Sequence, residues 1–130
     1  MGFLFVYGTL MHTANNGVSR FLRAHSEFVG DAYIYGRLYD LGDYPGAVPS
    51  GDASERVYGH VFKVMDADAV FKVLDDYEGI GDGDPHVYAY VRRSVTAYLG
   101  DGTEVSTWFY AYHFPTDALR LIPSGRYLNT

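Results

Sequence analysis

Residues Phe3-Leu4-Phe5-Val6 form an apolar run without a polar position, and the run leads directly into Tyr7-Gly8-Thr9-Leu10. A strand with one wet face alternates polar and apolar side chains, so a run with no polar face predicts a strand buried on both sides. Gly8 lets the backbone bend at the strand's end and come close to a ligand. Two readings of that turn are open. Its N–H groups can form a nest for an anion such as a carboxylate, or the turn can be a tight strand-to-helix connection capped by Thr9. In both, the chain folds around a central first strand, Phe3 to Tyr7.

The length of 130 residues fits one domain, residues 1–130, with enough chain to bury a core without covalent staples. Cysteine is absent, which excludes disulfides, thiolate nucleophiles and Cys-type zinc sites. The apolar start is too short for a signal peptide and has no basic flank, and no stretch approaches a membrane span. A net charge of -6 with only two lysines argues against nucleic acid as a partner. A cytoplasmic protein that contacts neither membrane nor nucleic acid is therefore expected. The 13 tyrosines favour strands, and their hydroxyls offer polar tips on otherwise apolar walls.

Helical spacing of Val18, Phe21 and Leu22 predicts a short helix from Asn15 to Arg23, although Gly17 interrupts it. Alternation over Phe28 to Leu41 predicts a long strand with a bend or bulge near Gly36. Two prolines and two glycines make Leu41 to Pro49 read as a loop, and Ser50 to Arg56 as a polar surface turn. Val57 to Val64 alternates as a strand. Asp66 then caps a helix whose expected apolar face is Val70, Val73, Leu74 and Tyr77, with Gly79 as its stop. Gly79 to Pro85 reads as a loop. His86 to Leu99 and Glu104 to His113 form a hairpin around Gly100-Asp101-Gly102. The tail from Phe114 is expected to be irregular, with Leu119, Leu121 and Ile122 able to cover an edge. About five main strands and two short helices in this order predict an α+β fold, a small mixed β-barrel or strongly bent sheet.

Of four glutamates, Glu78 alone lies at a helix end against a glycine-rich loop. There the negative end of the helix dipole disfavours a carboxylate and raises its pKa toward the range of a general base, whereas the competing reading is a solvated last-turn residue. Tyr90, Arg92 and Ser94 share one face of a strand. Arg92 is either a bidentate carboxylate clamp or an exposed edge arginine. The histidines His12, His25, His60, His86 and His113 show no helical pairing for a metal. No dinucleotide, Walker or nucleophile-elbow sequence occurs.

Phe5-Val6-Tyr7-Gly8-Thr9-Leu10 together with Tyr77-Glu78-Gly79 resembles the γ-glutamylcyclotransferase-like superfamily. Tyr44-Pro45-Gly46-Ala47-Val48, Val57 to Phe62, and Tyr90-x-Arg92 before a hairpin extend the likeness over most of the chain, closest to the small bacterial members and the γ-glutamylamine branch. The resemblance implies a small mixed barrel with helices around it. It also implies that Tyr7, Gly8, Thr9 and Leu10 bind a γ-glutamyl group, with Glu78 as the catalytic acid/base. Tyr44, Tyr90 and Tyr110 are implied to line the pocket, with Tyr112 an alternative to Tyr110. The implied reaction, classed as a transferase or lyase, cyclises the γ-glutamyl group to 5-oxoproline and releases an amine or amino acid. It needs no metal, cofactor or protein nucleophile. A non-catalytic metabolite sensor using the same pocket is the other class. The leaving group, the oligomeric state and the pathway are not specified by the sequence.

Overall fold

The computed structural model describes residues 2–7, 17–41, 45–77, 90–113 and 115–126. In chain order its elements are β1 (Gly2–Val6), α1 (Gly17–Ala24), β2 (Ser26–Asp40), β3 (Pro45–Pro49), β4 (Arg56–Val64), α2 (Ala67–Tyr77), β5 (Tyr90–Leu99), β6 (Glu104–Tyr112) and β7 (Arg120–Leu121). Strands β2, β4, β1, β6 and β5 are neighbours in that order, and β5 pairs back onto β2, so the five close into a barrel. Closure leaves no open edge along this path. The pairing of β1 with β6 is parallel and the remaining pairings are antiparallel, which makes the barrel mixed.

The apolar first strand has two cores to fill. Side chains alternate across a strand, so Phe5, with Tyr7 beyond the strand's end, joins Ile34, Val57, Val61 and Phe109 inside the barrel. Leu4 and Val6 face the other way and pack with Leu22 of α1, Phe62 and Val64 of β4, and Val70, Phe71 and Leu74 of α2. Leu4 and Phe5 are almost completely buried, as expected for a central strand.

Four expectations are corrected. The predicted loop at Leu41 to Pro49 contains β3, which pairs with β2 from Asp40↔Pro45 to Gly36↔Pro49. Its two prolines sit at its ends, where a missing N–H donor does least harm to an edge strand. The irregularity of β2 lies at Phe28/Gly30 rather than near Gly36. At Gly36 β2 changes partner from β4 to β3, and a Cβ there would come within 2.7 Å of the Val48 carbonyl oxygen. The buried face of α2 includes Phe71, while Val73 is 41% exposed. In the tail, Arg120 and Leu121 form β7 against Tyr39 and Asp40, and the Ile122 N–H donates to the Leu38 carbonyl at 2.7 Å.

The β5–β6 hairpin turns as expected. The Gly102 N–H donates to the Leu99 carbonyl at 2.9 Å, and Thr103 donates to Asp101 Oδ1 at the same distance. Predicted features at Gly79 to Pro85 and at His86 lie outside the described residues.

Candidate functional site

Tyrosines and β3 meet at one end of the barrel. Tyr7 directly follows β1 and is buried. Its hydroxyl donates to the backbone carbonyl of Tyr110 at 2.5 Å and accepts the N–H of Ala47 at 3.2 Å. Tyr90 opens β5 and lies opposite Tyr112 of β6, the two rings meeting edge to face with centroids 5.8 Å apart. The Tyr90 hydroxyl donates to the Pro45 carbonyl at 2.6 Å. Ala47 is fully buried within the barrel-interior core, so β3 reaches into it. Glycine at position 46 follows from this seating, since a Cβ there would lie 2.9 Å from Tyr112 and from Leu41.

Tyr110 and Tyr112 take different places. The Tyr110 side chain belongs to the helix-side core with Leu4, Val6 and Leu74, and only its carbonyl meets Tyr7. Tyr112 is the residue packed on Gly46. Gly8, Thr9, Leu10, Tyr44 and Glu78 lie outside the described residues. In the chain, Gly8 follows Tyr7, Tyr44 precedes Pro45, and Glu78 follows the last residue of α2.

The contribution of β3 was missed in the sequence, although Tyr44 to Val48 carried part of the family likeness. Its proline and glycine content matched a loop, and the tyrosines that hold it, Tyr7 after β1 and Tyr90 on β5, are distant in the chain.

Other polar groups lie elsewhere. Arg92 holds its guanidinium 4.6 Å from the Phe71 ring centre and 5.5 Å from that of Trp108. With Gly2, Asp68 and Lys72 these residues line an open groove of about 520 Å³. Gly2 starts β1 and Tyr7 follows its end, roughly 17 Å away at strand rise. Glu55 is held below the usual carboxylate range by hydrogen bonds from Arg37 and Ser50, in the surface turn after β3. Asp52 in that turn is lowered by the backbone N–H and hydroxyl of Ser54. Among the described residues no three His, Asp or Glu side chains gather as a metal site would require. Nor is any described helix long and apolar enough to cross a membrane.

A five-strand mixed barrel with two helices is a fold that known proteins share. Residues 4–129 match the family described as Gamma-glutamyl cyclotransferase, AIG2-like. Gamma-glutamylcyclotransferase family protein YtfP of Escherichia coli (strain K12) is 34% identical over 127 residues, covering 97% of this chain and 96% of that protein. The solution structure of E. coli ytfP superposes with a TM-score of 0.65 at 32% identity, over 98% of this chain and 96% of that one. A crystal structure of an AIG2-like protein from Mus musculus, 21% identical, has a TM-score of 0.67 over 100% of this chain and 96% of that chain, and shares the fold. The chain belongs to the γ-glutamylcyclotransferase, AIG2-like family.

Proposed function

We propose that this protein is a γ-glutamylcyclotransferase that converts the γ-glutamyl group of a γ-glutamyl amine or γ-glutamyl amino acid into 5-oxoproline. The observation that carries the reading is the family match over residues 4–129, which spans both Tyr7-Gly8-Thr9-Leu10 and Glu78. The reaction is intramolecular. The substrate's α-amino nitrogen attacks its own γ-carbonyl carbon, a C–N bond forms in the new ring, and the C–N bond to the leaving amine breaks. Holding the chain curled so that these atoms meet supplies much of the rate.

The proton balance needs one shuttle. The attacking nitrogen must be neutral, and the departing amine must take up a proton. Glu78 accepts one proton from the ammonium and returns it to the leaving nitrogen, and the second proton, shed by the ring nitrogen as the new C–N bond forms, is taken up by the departed amine, which is released as its ammonium. The place of Glu78 in the chain directly after α2 favours this role, because the negative end of a helix dipole raises a carboxyl pKa toward the working range. The turn from Tyr7 to Leu10 holds the polar groups of the γ-glutamyl part through its backbone amides, and Tyr44 and Tyr90 line the pocket around it.

The direct experiment is to assay 5-oxoproline release by the wild type from γ-glutamyl amines, γ-glutamyl amino acids and glutathione. Turnover of at least one class is expected. Tight binding without any turnover would replace the enzyme with a metabolite sensor.

A further inference from the structure

Strand β3 is held on its two sides by different means. Toward β2 it uses a backbone ladder from Asp40↔Pro45 to Gly36↔Pro49. Toward the rest of the barrel, two tyrosine hydroxyls hold it at separate points. Tyr7, after β1, accepts a hydrogen bond from the Ala47 N–H and donates its own O–H to the Tyr110 carbonyl on β6. Tyr90 on β5 donates to the Pro45 carbonyl. A short segment bounded by prolines has few backbone donors of its own, so these two contacts fix a position that the ladder alone leaves free to pivot. Gly46, between the two anchored residues, lies so close to Tyr112 and Leu41 that a shift of β3 toward the barrel is blocked. The hydroxyls therefore prevent movement away, and the packing prevents movement inward.

We propose that Tyr7 and Tyr90 act as positioning residues for the site, and that β3, held by their hydroxyls, sets which leaving group is accepted. This rests on the cyclotransferase reading. If the turn that begins at Tyr7 holds the γ-glutamyl part, the γ-carbonyl and the group attached to it lie at the same end of the barrel. The described backbone bonded to Tyr7 at that end is β3 together with the Tyr110 carbonyl. A bulky leaving group that meets Pro45 and Gly46 must displace β3, and the two phenols oppose that displacement. Removing either hydroxyl loosens the wall while leaving the ring in place.

The test uses Tyr7→Phe and Tyr90→Phe in the full chain with two readouts. The first is amide hydrogen exchange of Ala47 by NMR, which reports opening of this segment whether or not the protein is an enzyme. In Tyr7→Phe it should exchange at least about tenfold faster than in wild type, and by a larger factor than the Leu4 and Phe62 amides, whose protection falls only with the global stability. The second is kcat/KM for γ-glutamylmethylamide against γ-glutamylbenzylamide. In both variants the preference between these small and bulky leaving groups should shift by about tenfold, within the range a pocket of altered size gives, and the change should fall on KM more than on kcat.

Ala47 exchange in Tyr7→Phe that is unchanged, or that rises no more than at Leu4 and Phe62, would overturn the anchoring role. Unchanged preference in both variants, with wild-type turnover intact, would overturn the specificity role. Should the wild type turn over γ-glutamyl amino acids alone, the same comparison is made with γ-glutamylalanine against γ-glutamylphenylalanine; should it release 5-oxoproline from no γ-glutamyl compound, the cyclotransferase reading fails and the specificity role with it, while exchange still decides whether the hydroxyls hold β3. Tyr90→Phe removes a bond in a partly open place, so it remains informative if Tyr7→Phe does not fold.

Discussion

Two sets of tyrosines, one at the β3 end of the barrel and one at its β2–β5 seam, are put to different uses. At the β3 end, Tyr7 and Tyr90 direct their hydroxyls at backbone groups of Tyr110, Ala47 and Pro45. On the outer face, Tyr58 of β4, Tyr33 of β2 and Tyr98 of β5 form a row across the seam where β5 meets β2. There the rings carry the contacts. Tyr33 and Tyr98 stack with centroids 5.3 Å apart, Tyr35 and Tyr98 at 4.8 Å, and the guanidinium of Arg56 lies 4.4 Å above Tyr33. Only Ala32↔Leu99 and Tyr33↔Tyr98 register β2 against β5, so cross-strand ring pairs reinforce a short ladder. What a tyrosine contributes is thus set by whether its ring or its hydroxyl meets the neighbour, which a count of tyrosines does not reveal.

That contrast is easiest to break from the inside. Phe109 is fully buried at the heart of the barrel interior, and Phe109→Ala should destabilise by about 3–5 kcal/mol through lost burial and a residual cavity. Urea unfolding checks this, with the midpoint moving and the slope unchanged. A loss under about 1 kcal/mol would mean the interior collapses around the gap and is less rigid than described. Next in size is Tyr7→Phe, which leaves the Ala47 N–H and Tyr110 carbonyl without the phenol in a buried place. It should cost about 1–3 kcal/mol in the same assay.

On the outer face the corresponding change should be nearly silent. Tyr98→Phe keeps the stacked ring and should alter stability by no more than about 0.5 kcal/mol at neutral pH. A loss equal to that of Tyr7→Phe would erase the distinction between hydroxyl and ring. The difference emerges at high pH. Partial burial, followed by the hydrogen bond with Tyr35, raises the Tyr98 pKa above that of a free tyrosine. A raised folded-state pKa favours the protonated form, so its stabilising contribution is present below the ordinary tyrosine pKa and is lost as pH rises through the folded value. Wild type should therefore lose more stability than Tyr98→Phe in strongly alkaline solution, and phenolate absorbance should show one late-titrating group that the variant lacks.

The smallest effect concerns the surface turn after β3. Arg37→Ala removes the first cause of the lowered Glu55 pKa, and carbon-detected NMR should show that carboxyl titrating closer to its usual value. A carboxylate with a depressed folded pKa stabilises above its unfolded pKa and loses that contribution as pH falls. The variant should accordingly show a shallower acid-side loss of stability, and the difference should fade with added salt.

Legibility in the sequence follows the range of the interactions. The first strand, β4 and the hairpin announce themselves through apolar runs, period-two alternation and glycine turns, all local signals. In α2 the stripe Val70, Phe71, Val73, Leu74 is apolar on two overlapping faces. Contact with β1 and β4 selects Phe71 over Val73, and no local signal makes that choice. Strand β3 was hidden because its prolines and glycines match a loop, whereas its ladder partner and the tyrosines that anchor it are known only from the fold. Tyr7 and Tyr90 were legible in the sequence as members of the family-like motifs. Their hydroxyl partners, 40 and 45 positions away in the chain, were not.

The measurement that bears most directly on function is 5-oxoproline release by Glu78→Gln beside the wild type, with ligand binding followed on the same samples. Glutamine keeps the size and hydrogen-bonding reach of glutamate but cannot take up a proton. Turnover should fall by about a hundred- to ten-thousand-fold, the usual worth of general acid–base catalysis, while affinity for γ-glutamyl compounds changes little. Wild-type turnover in the Gln variant would contradict the assignment and leave Glu78 as an ordinary residue at a helix end.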